Sequence, residues 1–145
     1  MHETTTCQAG HHNEIAALVH RYAQFVRQGR GEACSALFIS DSLYEIWEVD
    51  RSASRLLPRI RSRMEGQAGI HDYLSSSTSR GIRLCPKIHN LLIDIEGDNA
   101  RGSCVMEARA WPSGHETIGE YADTFLRRDG KWWFAARKFT MFLGN

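Results

Sequence analysis

The sequence predicts an α+β domain in which helices come first and a meander of long strands wraps the first of them. Three observations carry this. Between Ile15 and Val26 the apolar residues recur at helical spacing. From Ile88 onward they alternate with polar residues over long runs. Turn signals at Gly97-Asp98, Pro112-Ser113-Gly114 and Asp129-Gly130 cut those runs into strands. Helices followed by strands argue α+β. A strongly curved sheet around a long helix leaves a cavity between the two layers.

Residues 1–12 are polar and read as a flexible N-terminus ahead of one domain spanning 13–145. Asn13 is the expected N-cap of the first helix, whose inward stripe is Ile15, Leu18, Val19, Tyr22, Phe25 and Val26. That helix ends near Gly29. A short helix follows over Glu32–Phe38, then a turn at Ser40-Asp41-Ser42 and an alternating strand from Leu43 to Val49. The Arg-rich segment 50–64 is either a basic patch for an anionic ligand or a solvated connector. Gly66 to Leu74 opens a third helix, and the SSSTSRG run after it reads as a loop. Four strands close the chain, over 88–96, 100–111, 117–127 and 132–142.

Composition narrows the function classes. With 145 residues, 42% hydrophobic and 24% charged, the chain is long enough to bury one core without staples. A net charge of +1 gives no clustered basic field, so no nucleic-acid partner is expected. No apolar run approaches a membrane span, and the N-terminus lacks the apolar stretch of a secretory signal. No membrane partner is expected, and the expected compartment is the cytoplasm. The four cysteines (Cys7, Cys34, Cys85 and Cys104) are scattered without a CxxC pair, which points to free buried thiols. His11-His12 is adjacent rather than spaced for a helix or strand ligand pair, so no metal and no cofactor are expected.

Several strings, in this order, resemble the SnoaL-like polyketide-cyclase and dehydratase group of the nuclear transport factor 2-like superfamily. RYAQFVRQGRGEACSALFISDSLYEI is similar to its first two helices and first strand, and SRMEGQAGIHDYL to its third helix. IHNLLIDIEGDNARGSCVM is similar to its central hairpin, and GEYADTFLRRDGKWWFAARK to its closing hairpin. The resemblance spans roughly residues 13–142 and is nearest to bile-acid dehydratase-like and scytalone dehydratase-like members. It implies a cone-shaped, cystatin-like fold, with a curved antiparallel or mixed sheet, and a homodimer or higher homo-oligomer. Members of the group include dehydratases, isomerases, cyclases and proteins without chemistry, so function must be argued from the site.

Strand parity, counted from Leu91, Ile93 and Ile95, puts His89 on the apolar face. His89 is then either a satisfied core histidine or a general base. The resemblance supports the second reading, because dehydratase-like members keep a catalytic histidine at the matching position. It likewise implies a pocket role for Tyr22, whose hydroxyl would polarise a substrate oxygen; by its place in the apolar stripe alone Tyr22 is equally a core aromatic with its hydroxyl tied off. Where those members carry the aspartate that pairs with the histidine, this chain has Arg27. Arg27 either favours the negative end of the first helix or holds an anionic substrate group. Ala108 occupies the inward position where a second acid sits in such members. Asp123 is the remaining candidate, as partner of His89, as a base, or as half of a cross-strand pair with Arg137. Tyr44, Trp47, Met106, Tyr121 and Arg137 are the further expected substrate contacts. Trp132, Trp133, Phe139 and Phe142 are expected in the sheet core and dimer face, or as walls for a flat apolar ligand.

Two functions follow. One is an enzyme abstracting a proton next to a carbonyl on a steroid-, aromatic- or polyketide-like substrate. The catalytic residues would be His89, Tyr22 and Asp123. The other is a non-catalytic domain of the same fold, either a binding or assembly subunit like the β subunit of a ring-hydroxylating dioxygenase, or a dimeric scaffold with an occluded cavity.

Overall fold

The computed structural model describes residues 2–50, 52, 57–79, 81 and 83–144, without the side chains of 2–7 and 77–79. In chain order the elements are α1 (His2–Gln28), α2 (Gly31–Ser35), β1 (Phe38–Asp50), β2 (Arg59–Glu65) and α3 (Gly66–Ser79). Then come β3 (Arg83–Glu96), β4 (Asn99–Trp111), β5 (Glu116–Arg128) and β6 (Lys131–Leu143). The strands form one mixed six-stranded sheet in the order β2-β1-β6-β5-β4-β3. β1 and β6 run parallel and the other neighbours antiparallel. β2 and β3 are edges, so the curved sheet stays open rather than closing into a barrel.

α1 lies against β3 and β6, and buries Ile15, Leu18, Val19 and Tyr22. It stops in a Schellman motif. The Gly29 N–H reaches the Val26 carbonyl at 3.0 Å and the Arg30 N–H the Phe25 carbonyl at 2.8 Å, with Gly29 at φ 69°. The start of α1 departs from the sequence reading. Of the stretch read as flexible, 1–12, the described residues from His2 onward continue the helix upstream, and within them His11 Nδ1 accepts a 3.0 Å hydrogen bond from Trp132 Nε1. That distant partner has no trace in the local pattern of polar residues.

The other boundaries shift for similar reasons. β1 begins at Phe38 because Phe38 pairs with Phe134 of β6, and their rings stack at 4.9 Å. The expected turn at Ser40-Asp41-Ser42 survives as a register shift inside the strand. α3 runs through Ser79 instead of ending at Leu74. Part of the Arg-rich segment is the edge strand β2, whose Arg63 pairs with Glu45 across to β1 at 3.0 Å. A charged strand suits an edge. The β5–β6 turn has positive φ at both Asp129 (56°) and Gly130 (71°), as a type I′ hairpin needs. Phe38, Phe125, Trp132 and Phe134 are fully buried at the centre.

Candidate functional site

Between the helices and the concave face of the sheet lies a cavity of about 440 Å³, within the usual range for small-ligand sites. Its floor is built from Tyr22, Tyr44 and Tyr121, with Met106, Ala108 and Phe139. β3 contributes Leu84, Pro86 and Ile88 to one wall. Arg30, Arg61 and His115 stand where the cavity is most exposed.

The floor is aromatic but not inert. The Tyr22 hydroxyl donates to that of Tyr44 at 3.4 Å, and the Tyr121 ring meets Tyr22 edge-on at 6.4 Å between centroids. Burial pushes all three phenols well above their ordinary pKa. At neutral pH they are therefore neutral hydrogen-bond donors rather than phenolates. Cys34 also lines the cavity; burial pushes its thiol up to about 12, so it stays protonated. Burial likewise raises Cys104 to about 11.

Behind the floor sits Arg137. Its guanidinium lies 3.4 Å from the Tyr121 ring centroid, 4.4 Å from that of Tyr22 and 4.7 Å from that of Phe134. These contacts spread a fully buried charge over three π faces. Asp123 faces it across the β5–β6 register, with Arg137 Nε 3.0 Å from Oδ1. The approach is ion-pair distance without hydrogen-bond direction. Among the described residues, none of the guanidinium nitrogens and neither carboxylate oxygen has a well-directed hydrogen-bond partner. Lost hydration pushes the Asp123 carboxyl up to about 6, against the pull of Arg137. Burial also works against the charge on Arg137, but Asp123 and the tyrosines outweigh it and raise its pKa.

His89 does not reach this cavity. In β3, Ile88 pairs with Met106 and His89 with Val105, but Leu92 pairs with Ser103. Two residues, Asn90 and Leu91, thus oppose Cys104 alone. This is a β-bulge, and Asn90 takes φ 53° within it. The extra residue breaks the count by twos. Leu91, Ile93 and Ile95 face the core, while His89 points outward beside Glu107, at 3.6 Å and 46% exposed.

Two expected substrate contacts also lie elsewhere. Arg27 is exposed and donates to Gln24 at 3.4 Å, because the inward position of that helical turn belongs to Val26. Trp47 alternates away from Tyr44 and Ile46. It donates to Glu45 at 3.2 Å and carries Lys138 over its ring at 4.4 Å. Tyr22, Tyr44, Met106 and Tyr121 do line the cavity, and Arg137 and Asp123 lie buried next to it. Of the aromatic set on the last strand, Phe139 lines the cavity, Trp132 is in the core, and Trp133 carries Lys131 over its ring at 4.4 Å.

Sequence reasoning passed over Arg30, Tyr73 and His115, which all line the cavity. The one available signal was the position of His115 just after the Pro112-Ser113-Gly114 turn, at a strand end. Cys34 and Cys104 are buried free thiols and Cys85 is half-buried; the Cys7 side chain lies outside the described residues. Among the described residues no three His, Cys, Asp or Glu side chains gather as a metal site would need. No described helix is long and apolar enough to cross a membrane.

Fold and site define a class: an α+β domain whose curved sheet and helices enclose a cavity of about 440 Å³. The chain belongs to the SnoaL-like domain family, whose profile matches residues 9–138. No curated protein matches the sequence. Three solved structures from Novosphingobium aromaticivorans are similar. An NTF2-like protein with a cystatin-like fold shares 19% identity at a TM-score of 0.76, over 96% of this chain and 86% of that one. The β subunit of a proposed aromatic-ring-hydroxylating dioxygenase shares 18% at 0.77, over 97% and 94%. A proposed scytalone dehydratase shares 19% at 0.71, over 97% and 88%. The chain therefore has the NTF2-like, cystatin-like fold.

Proposed function

We propose that the cavity takes up a small, mainly apolar, oxygen-bearing molecule, and that the chain acts by binding it rather than through acid–base chemistry at His89. The reading rests on the bulge at Asn90. With His89 outside, the cavity side of β3 offers Leu84, Pro86 and Ile88, none of which accepts a proton. A general base must come within hydrogen-bond reach of the proton it removes. What remains inside is a set of neutral donors, Tyr22, Tyr44 and Tyr121, suited to a carbonyl or phenol oxygen. Likeness of fold extends from a proposed dehydratase to a dioxygenase β subunit and so favours neither function.

Calorimetric titration with phenols, aromatic ketones and steroid ketones tests this. Binding is expected, is lost when Ala108→Phe fills the cavity, and stays within about twofold in His89→Ala. Turnover of any such compound that drops by about 10²–10⁴-fold in His89→Ala would overturn it.

A second reading keeps an enzyme with a different base. His115 is the one histidine among the described lining residues. It would abstract the proton while the tyrosine hydroxyls hold the oxyanion. Turnover is then abolished in His115→Ala and intact in His89→Ala. The expected homo-oligomer has apolar candidates on the outer sheet face in Leu92 (68% exposed), Trp111 (65%) and Ile118 (42%). Sedimentation of the Leu92→Glu variant against the parent tests that assembly.

A further inference from the structure

We infer that the ligand carries an acidic group, and that Arg61 and Arg30 at the cavity mouth receive it. This rests on the proposal that the cavity holds a small ligand, and it names the ligand's chemical class: an aryl or alicyclic carboxylic acid. Apart from the tyrosines and Cys34, the ionisable groups among the described lining residues are Arg30, Arg61 and His115. No aspartate or glutamate is among them.

The backbone aims Arg61 at the cavity. Ile46 pairs with Ser62 and Trp47 with Ile60, so Arg61 has no cross-strand partner. It is the extra residue of a bulge, a device that re-aims one side chain. Ser62 and Arg61 consequently both line the cavity, where strict alternation would allow only one of them.

The charge on Arg61 is only partly spent within the chain. Its Nη1 lies 3.5 Å from Glu48 Oε2, but Arg59 already holds the other oxygen of that carboxylate. One carboxylate shared by two guanidiniums leaves a positive balance. Among the described residues Arg30 meets no carboxylate; it donates to Gln28 at 3.3 Å and lies 4.7 Å from the Phe25 ring centroid. A third guanidinium, that of Arg83, folds over Gly29, which is part of the cavity wall. An apolar body with an acidic end would put its ring system on Met106, Ala108 and Phe139 and its anion at these arginines. Guanidinium–carboxylate pairing supplies direction as well as attraction.

Two fluorescent probes differing by a single sulfonate test this: 8-anilinonaphthalene-1-sulfonate and the neutral N-phenyl-1-naphthylamine. The sulfonate should bind about tenfold more tightly, and that preference should shrink as salt is added. Arg61→Gln and Arg30→Gln should each weaken the sulfonate severalfold and leave the neutral probe within twofold. Arg61→Lys should keep part of the preference, and 2-naphthoic acid should displace the probe better than methyl 2-naphthoate. Ala108→Phe should abolish binding of both probes. Equal affinity for the two probes, or a preference indifferent to both glutamine variants, would overturn the inference and leave the cavity reading standing. Binding of neither probe, or binding that survives Ala108→Phe, would overturn the cavity reading and the inference together.

Discussion

Replacing Asp123 by asparagine should leave the protein at pH 7 as stable as before, or more stable by up to about 3 kcal/mol. A broken buried ion pair usually costs about 3–5 kcal/mol, because it strands a charge. Here the pair itself is poorly made. Asp123 and Arg137 are both unexposed, at 3.0 Å, yet among the described residues no atom of either head group has a well-directed hydrogen bond. The attraction therefore does not repay the carboxylate's lost hydration, and the carboxyl rises from 3.8 to about 6. About two pKa units correspond to about 3 kcal/mol. The folded chain thus holds this proton more tightly than the unfolded chain. The stability it contributes is present in full below pH 3.8 and is lost as the pH rises through about 6. Asparagine mimics the protonated form at every pH. Urea denaturation followed by circular dichroism from pH 4 to 8 measures both proteins. The stability of the parent minus that of the variant should fall across pH 4–7, from near zero toward a limit of about −3 kcal/mol. In melting temperature that is about 6–12 °C in favour of the variant. A variant destabilised by about 3–5 kcal/mol at pH 7 would refute the claim that desolvation outweighs pairing at this site.

Tyr22→Phe and Tyr121→Phe should each weaken binding of a ketone ligand by about five- to tenfold, the worth of one lost neutral hydrogen bond, as read by calorimetry. Gly119→Ala should cost about 1–3 kcal/mol in urea denaturation. Its added Cβ would fall 2.6 Å from the Phe139 ring and closer still to the Thr140 carbonyl. His11→Ala should cost about 1–3 kcal/mol by the same measurement, since it strands the Nε1–H of Trp132, a residue only 1% exposed. Loss of less than a few tenths there would mean that α1 is not anchored through that bond.

The sequence by itself determined the elements whose signal is local. The stripe from Ile15 to Val26, the Gly29 stop and the Asp129-Gly130 hairpin depend on neighbours within a few residues, and periodicity and turn chemistry report such neighbours directly. Tyr22, Tyr44, Met106 and Tyr121 were legible as inward residues because their helix or strand stretches keep a regular period. Tertiary structure decided what depends on register and on partners far along the chain. A bulge adds one residue without any compositional mark, so Asn90 reversed the side on which His89 was expected. The corresponding bulge in β2 brought Arg61 to the cavity from a segment that read either as a basic patch for an anionic ligand or as a connector. Trp132 extended α1 upstream from a position 121 residues away. Alternation fixes faces only while the count of residues between strands is kept, and that count is set by the pairing of β3 with β4 and of β2 with β1, not by either strand alone.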